Sequence, residues 1–286
     1  MLLSHYGYTA TQKDLAPILK PNDNDKNVSP SELAGYVQSH TNLGVLYRVN
    51  GSVDQMKQLL ANGFPVVVET WFQPQPNDGM GHYRLLFAYS DSAGKFSALD
   101  SYEGPNQALP YAQFDADWKA FDRVFLVAYR PEQLSLLNAI LNGAQDEQAN
   151  WAQARQKADS EVAANPNDAF AWHNLGSALH HLGQEADAVK AFDRARKIGL
   201  PWRMLWYQFD MFEAYLSIGR FQDVLDLTGA NLKQSGDLEE SLYYRGRALQ
   251  ATNKNDDAIK AYRDALKFNK YYAAPAKALS DMGATL

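Results

Sequence analysis

The stretch that decides the fold of the N-terminal half spans residues 79–102 and reads GMGHYRLLFAYSDSAGKFSALDSY. Two runs in it are rich in aromatic and aliphatic residues, Tyr83 to Tyr89 and Phe96 to Asp100. Between them, residues 91–94 have the Asp, Ser and Gly composition of a short loop. The pattern therefore predicts an antiparallel β-hairpin.

This hairpin would bring a histidine and a carboxylate together. In the register that pairs residues 89 and 95, Asp100 is the diagonal neighbour of His82, with Cβ atoms about 5 to 8 Å apart. Any even shift of the register keeps both side chains on one face, and any odd shift separates them. A histidine beside a carboxylate is a base with a fixed tautomer, which is the orienting half of a nucleophilic triad. The alternative is a pair that only stabilises the hairpin.

Outward from the hairpin, the first 130 residues read as helices followed by strands. The opening run from Met1 to Tyr6 is closed by Gly7, which is typical of a helix end. Helix-start signals follow at Thr11, Ser29 and Ser52. Further β-rich runs are Val66 to Phe72 and Val124 to Tyr129. Helices first and an antiparallel sheet after them predict an α+β domain.

Residues 131–286 contain a helical repeat. Gly183, Gly219 and Asn253 align as the turns of three hairpins, with spacings of 36 and 34 residues, close to the 34 of tetratricopeptide repeats. The predicted hairpins span 169–202, 205–238 and 239–272, after an earlier degenerate one. Gly and Ala would let the two helices of a hairpin approach closely, and an aromatic residue would fill the remaining gap. We therefore predict an all-α tetratricopeptide-repeat solenoid.

The N-terminal half also resembles a known family. The segments that carry the resemblance are Met1-Leu2-Leu3-Ser4-His5-Tyr6-Gly7-Tyr8, Gln12, Gly63-Phe64-Pro65-Val66-Val67-Val68, Gly81-His82-Tyr83 and Ala98-Leu99-Asp100-Ser101-Tyr102. Together they are similar to papain-fold peptidases of the bacteriocin-processing (double-glycine-leader) type and their free-standing relatives, over about residues 1 to 130. The resemblance implies a papain-like cysteine-peptidase fold in which His82 matches the family histidine and Asp100 the third triad member.

The nucleophile of that family has no counterpart in this sequence. The family carries a Cys-Gly-Pro motif at the start of its first helix, which would precede Met1, and the chain contains no cysteine. Ser4 lies too far along the helix to benefit from the positive N-terminal dipole, which lowers the pKa of a thiol. We therefore expect no peptidase activity from the chain as given. If the native chain extends upstream to the motif, we expect a cysteine peptidase that uses this Cys, His82 and Asp100.

The repeats offer a second candidate site. In each hairpin one face of the first helix would line the concave groove of the solenoid, which suits an extended peptide or a protein helix. The predicted groove residues are Phe170, His173, Ser177, His180, Trp206, Phe209, Glu213, Tyr243 and Arg247. The alternative is a spacer that packs on the N-terminal domain. The sequence leaves the partner's identity and the oligomeric state open.

Composition and charge argue against several other functions. The net charge is −6 and neither half is basic, which argues against a nucleic-acid partner. No apolar run approaches the length of a membrane span, and we expect export only if a longer chain carries a signal. We predict no cofactor and no metal site. His173, His180 and His181 lack further ligands at a suitable spacing, and Pro21 to Asn27 lacks the Gly and Glu of a calcium loop and reads as a polar turn.

Overall fold

The computed structural model describes residues 1–22, 27–74 and 79–285. The chain forms two compact units. The first contains Met1–Ala10, Pro30–Gln184 and Lys190–Leu200, and the second contains Thr11–Ser29, Glu185–Val189 and Pro201–Leu286. The boundaries of these units differ from the domain boundary that the sequence predicts between residues 130 and 131. The assignment of domains 1–130 and 131–286 therefore stays a prediction. Residues 23–26 of the predicted polar turn lie outside the described residues.

The first unit is built on an antiparallel sheet. In the described ranges it has six strands in the order β1-β6-β2-β3-β4-β5. The strands are β1 Gly44–Arg48, β2 Val66–Phe72, β3 Met80–Ser90, β4 Lys95–Asp100, β5 Gly104–Pro110 and β6 Phe125–Tyr129. The predicted hairpin is β3 and β4, and residues 91–94 form its turn. The α+β class and the antiparallel sheet are confirmed.

The N-terminal half has five helices in the described ranges, and three of them begin directly after the predicted start signals Thr11, Ser29 and Ser52. They are α1 Leu2–His5, α2 Gln12–Leu19, α3 Pro30–His40, α4 Val53–Ala61 and α5 Tyr111–Lys119, of which α2, α3 and α4 follow these signals and α2 belongs to the second unit. Before α4, the Ser52 hydroxyl accepts a hydrogen bond from the Gln55 backbone N–H at 3.1 Å. Before α2, the Thr11 backbone N–H donates to the Asp14 carboxylate at 2.7 Å. These bonds satisfy donors that the first helical turn would otherwise leave free.

The two faces of the sheet carry different helices. On one face, Met56 and Leu59 of α4 and Trp118 of α5 pack in one apolar core with Val127 of β6. The neighbouring residue of β6, Ala128, belongs instead to a cluster with α1 and α3. Because successive side chains of a strand point to opposite faces, α4 and α5 cover one face and α1 and α3 cover the other.

Three elements of the first unit have no counterpart in the predictions, namely β1, β5 and α5. The strand β5 lies at the edge of the sheet and contains Pro105 and Pro110, which are unfavourable in a paired strand. Its side chains are half-buried or exposed, so no apolar alternation marks it. Strand β1 is the opposite edge. Edge strands form because a neighbouring strand offers partners, and that information is absent from the local sequence.

The remaining elements are helical. They are α6 Leu134–Leu141, α7 Glu147–Ala164, α8 Ala169–His181, α9 Glu185–Ile198, α10 Asp210–Ser217, α11 Phe221–Gln234, α12 Glu239–Ala251, α13 Asn255–Phe268 and α14 Ala273–Asp281, with 3-10 helices at Pro131–Gln133 and Trp202–Trp206. The pairs α8/α9, α10/α11 and α12/α13 fall within the three predicted hairpins. The aligned turn residues Gly183, Gly219 and Asn253 have φ of 72°, 78° and 60°. This shared left-handed conformation supports the alignment.

Small residues bring the two helices of a hairpin together, as predicted. In the first unit, a methyl group added at Gly176 of α8 would lie 2.6 Å from the ring of Phe192 in α9. In the second unit, one added at Gly246 of α12 would lie 2.5 Å from the ring of Tyr262 in α13. Both aromatic side chains are fully buried. The glycine is therefore required because the ring occupies the space of a side chain.

No helix among the described residues has the length and hydrophobicity required to span a membrane.

Candidate functional site around His82 and Asp100

A β-bulge sets the register of the candidate site. Near the turn, Lys95 pairs with Ser90 and not with residue 89 as the sequence pattern predicts, and this register alone would place His82 and Asp100 on opposite faces. The pairing shifts by one residue between Leu86 and Ala88, so that residue 84 pairs with residue 100. The bulge thus restores the even register that puts both side chains on one face.

The structure brings His82 and Asp100 into direct contact. The Nε2 atom of His82 lies 2.8 Å from Oδ2 of Asp100. The carboxylate side chain is fully buried, and the imidazole is 12% exposed. A carboxylate bound to Nε2 fixes the orientation of the ring. The other ring nitrogen, Nδ1, is then the atom that can exchange a proton with a bound group. The expected geometry of the pair is confirmed, whereas its catalytic role stays a prediction.

Asp100 is held as a carboxylate by four donors. Its Oδ1 accepts the backbone N–H groups of Tyr102 at 2.7 Å and Glu103 at 2.9 Å. Its Oδ2 accepts His82 and also Nε of Arg84 at 2.9 Å. Burial acts to raise the pKa of Asp100, but the hydrogen bonds from Glu103, His82 and Tyr102 outweigh it and hold this pKa below its ordinary value.

Arg84 is a member of the site that the sequence predictions missed. Besides Asp100, its guanidinium donates to the hydroxyl of Thr70 at 2.6 Å and to the carboxylate of Glu103 at 3.1 Å. It also lies over the ring of Phe72 at 5.0 Å. The signal was available, because Arg84 follows His82 by two residues and a strand directs alternate side chains to the same face.

Aromatic rings surround the imidazole. The ring of Phe72 lies 4.9 Å from that of His82. The ring of Tyr102 lies 6.4 Å from the imidazole and 5.5 Å from Phe72, and Tyr102 is 69% exposed. An accessible aromatic surface beside a fixed base is suited to hold an apolar side chain of a peptide.

The opposite face of the sheet contains a second buried carboxylate, on β2. Glu69 pairs with Tyr83 across β2 and β3. Burial raises the pKa of Glu69 to about 8, and the hydrogen bond from Tyr83 lowers it only in part. Burial and the neighbouring Glu69 in turn raise the pKa of Tyr83 well above its ordinary value. Glu69 is therefore protonated at neutral pH, which sequence reasoning did not indicate.

The predicted groove residues of the first unit are mostly covered. His173 and Ser177 are buried, with exposed fractions of 0% and 2%, so a groove ligand could not reach them in this structure. Phe170 is half-buried, and its ring lies 6.1 Å from that of Trp71 in β2. His180 is half-buried and lies beside His181, with ring centroids 5.3 Å apart. Burial arises because this helix face packs within the first unit.

In the second unit, three predicted groove residues come together. The Arg247 guanidinium donates to the carboxylate of Glu213 at 2.5 Å and lies 5.7 Å from the ring centre of Tyr243. The two charged side chains are 32% and 31% exposed. Phe209 is half-buried against Tyr244, but Trp206 is buried at 7% exposure. Trp206 therefore belongs to the core of this unit rather than to an open groove.

Groups of three or more His, Asp or Glu side chains that could hold a metal ion are not found in the described ranges 1–22, 27–74 and 79–285. The imidazole of His173 packs against Phe192 at 5.3 Å, and that of His181 stacks on Trp151 at 3.9 Å. These two rings of the predicted histidine cluster thus make packing contacts in the first unit.

Comparisons with known proteins agree with this architecture. Residues 1–125 match the Peptidase_C39 like family, and residues 161–190 match the tetratricopeptide repeat. A search of the curated proteins finds no match. The chain therefore carries a Peptidase_C39-like α+β domain followed by tetratricopeptide repeats, as the sequence resemblance predicted.

Solved structures of MamA are similar to part of the chain. One, described as "MamA RS-1 ArsTM double mutant", is 18% identical with a TM-score of 0.42, over 48% of this chain and 75% of that one. A "Crystal structure of MamA" is 16% identical with a TM-score of 0.40, over 48% of this chain and 81% of that one. Similarity at this level says nothing further about the function of this chain.

Proposed function

We propose that this chain recognises a peptide or a protein, with the His82–Asp100 pair as part of a peptidase-like recognition site and the repeats as a scaffold. Two family matches support the general form of this proposal, which is a peptidase-like domain joined to protein-interaction repeats. The observation that supports a recognition site at His82 is the hydrogen-bonded His82–Asp100–Arg84 cluster in a sequence without cysteine.

Two surfaces could contribute contacts. Beside His82, the exposed ring of Tyr102 and the ring of Phe72 present an aromatic surface. In the second unit, Arg247, Glu213 and Tyr243 combine two partly exposed charges with a ring. Surfaces of this kind, with aromatic anchors and a few polar groups, are favourable for extended peptides.

Peptide binding can be tested with an array of immobilised synthetic 15-residue peptides of random sequence. We expect a subset of peptides to retain the labelled chain, and Tyr102→Ala or Tyr243→Ala to weaken part of that subset by about tenfold, the effect of a lost aromatic anchor. Tyr271→Ala is a matched control, since Tyr271 is also exposed, at 57%, and belongs to neither surface. Retention that neither Tyr102→Ala nor Tyr243→Ala reduces would contradict the proposal.

The second candidate function is an active cysteine peptidase. The geometry that favours it is the His82 imidazole, which is oriented through Nε2 and has Nδ1 available. This function requires a thiol from a Cys-Gly-Pro segment upstream of Met1. Sequencing the DNA upstream tests the requirement, since an in-frame stop codon without that motif would remove this candidate.

If the motif is present, the longer chain should hydrolyse peptides. Replacement of its cysteine by alanine, or His82→Ala, should then lower turnover by at least about 1000-fold, as for other members of nucleophilic triads. Turnover that persists after either change would exclude the mechanism.

A further inference from the structure

We propose that the first repeat hairpin is a functional part of the His82 site, with Phe170 as a positioning residue that acts through Trp71. All residues involved belong to the first compact unit. The inference rests on the proposed function for its biological meaning, but its test measures the imidazole directly and requires no peptide.

The first step is the attachment of α8 to the peptidase-like domain. Asp168, which caps α8 by accepting the Ala171 N–H at 3.1 Å, forms an ion pair with Lys119 at the end of α5. Nearly two turns further along α8, the side-chain amide of Asn174 donates to the Lys119 backbone carbonyl at 2.8 Å. These contacts fix the start of α8 on the domain, and Phe170 lies between them in the sequence.

The second step is the contact between Phe170 and Trp71. Their ring centres are 6.1 Å apart with a tilt of 56°, and Trp71 is only 8% exposed. The same indole lies 6.3 Å from Phe121. Aromatic pairs at this distance and angle pack favourably. Trp71 is thus held between a ring of the repeat helix and a ring of the domain.

The third step leads from Trp71 to the strand that carries His82. Trp71 covers the backbone before His82, since a methyl group at Gly79, where φ is +104°, would lie 2.3 Å from the indole ring. At Gly81, which pairs with Trp71 across the strands, a methyl group would lie 2.6 Å from the Glu69 carboxylate and 2.9 Å from Phe121. The segment before His82 therefore lies directly on this packed surface, which tolerates only glycine at both positions.

The last step follows from strand alternation. The neighbours of Trp71 in β2 are Thr70 and Phe72, which point to the opposite face. Thr70 accepts a hydrogen bond from Arg84 at 2.6 Å, and Phe72 contacts the His82 ring at 4.9 Å. A displacement of Trp71 would move both side chains. Phe170 thereby fixes the surroundings of His82 without touching them.

The test is chemical labelling of histidines in the folded full chain with diethyl pyrocarbonate, read at each residue by mass spectrometry. We expect Phe170→Ala to raise the labelling rate at His82 by about fivefold to tenfold. This factor corresponds to a decrease of roughly 1 to 1.4 kcal/mol in the free energy of local opening around His82. The rate at the exposed His5 should not change. In the series Ala, Val, Leu at position 170, the rate should fall as the side chain grows and fills the contact again.

Phe209→Ala is the matched control, because it removes a half-buried phenylalanine from the second unit. It should leave the rate at His82 unchanged, even if it lowers the melting temperature as much as Phe170→Ala does. Equal rates at His82 across the folded position-170 variants, or an equal increase in Phe209→Ala, would overturn the proposal. Neither result depends on whether the chain binds a peptide.

Discussion

Asp100 and Glu69 lie on opposite faces of the same sheet and are equally well buried, at 4% and 5% exposure. Their pKa values nevertheless shift in opposite directions. The pKa of Asp100 lies below its ordinary value, whereas burial raises that of Glu69 to about 8. Burial opposes ionisation in both cases, so the difference must come from their hydrogen-bond partners.

The partners explain the contrast. Asp100 accepts two backbone N–H groups, the imidazole of His82 and the cationic guanidinium of Arg84. The partner that acts on Glu69 is the neutral hydroxyl of Tyr83. A buried carboxylate remains ionised where several donors and a counter-charge meet it, and takes up a proton where they do not. One face of the sheet thus maintains a fixed anion beside His82, whereas Glu69 on the other face keeps its proton at neutral pH.

The largest expected effect is that of Asp100→Ala. It leaves Arg84, whose side chain is 7% exposed, without its buried counter-charge. We expect the free energy of unfolding to fall by about 3 to 5 kcal/mol, the usual cost of breaking a buried ion pair. Urea denaturation at pH 7 measures this change.

Asp281→Ala provides the reference for a surface pair. Lys277 and Asp281 form an ion pair whose side chains are 75% and 59% exposed, so its loss should cost at most about 1 kcal/mol. Similar decreases in the free energy of unfolding of the two variants would mean that the Asp100 cluster contributes no more to stability than a surface ion pair.

The second prediction concerns Glu69→Gln and its dependence on pH. Between the ordinary carboxyl pKa and about 8, the folded chain keeps a proton on Glu69 that the unfolded chain has released. The free energy of unfolding should therefore decrease as the pH rises from 5 to 8, by up to about 1.4 kcal/mol per pH unit, and level off above pH 8. Glutamine does not ionise, so this decrease should be absent from the variant.

Urea denaturation at pH 5, 6.5 and 8 distinguishes the two curves. Glu132→Gln is a suitable control, because it replaces an exposed carboxylate and should follow the wild-type curve. Parallel curves for wild type and Glu69→Gln would show that Glu69 is already ionised in the folded chain.

The two carboxylates also show what local sequence can predict. The prediction of His82 and Asp100 on one face used the period of two of a hairpin in which residue 89 pairs with residue 95. The structure pairs residue 89 with residue 96, and the bulge brings both side chains back to one face. The helix starts at Ser52 and Thr11 were readable from the sequence because the capping bonds are local. Such features depend on residues within a few positions of each other.

The features that escaped prediction depend on distant residues. The bulge after Leu86 has no local marker, and it arises where pairing near the turn must be reconciled with pairing at the site. The protonated state of Glu69 follows from its burial, which requires the packed fold. The groove positions His173 and Ser177 are buried, although helical periodicity placed them on an accessible face.

The third prediction is an acid-dependent loss of stability that requires Asp100. Because the pKa of Asp100 is lower in the folded chain, its ionised form stabilises the fold at neutral pH. This contribution is lost as the pH falls through the folded pKa, below about 3.9. Asp100→Asn lacks the titration, so its free energy of unfolding should decrease less than that of wild type between pH 5 and pH 3, by about 1 kcal/mol. An unchanged decrease would assign the acid sensitivity to other carboxylates.

The smallest effect is expected for Tyr83→Phe, which removes the hydrogen bond to Glu69 and keeps the ring. The hydroxyl lowers the pKa of Glu69, so its loss should raise this pKa above about 8. The decrease in unfolding free energy with pH should then extend to higher pH. At pH 5, where Glu69 is protonated, the substitution should cost only about 0.5 to 1.5 kcal/mol, the net value of one hydrogen bond. A double variant, Tyr83→Phe with Glu69→Gln, should show no such extension. If it does, another group than Glu69 titrates, and the contrast with Asp100 would need a different explanation.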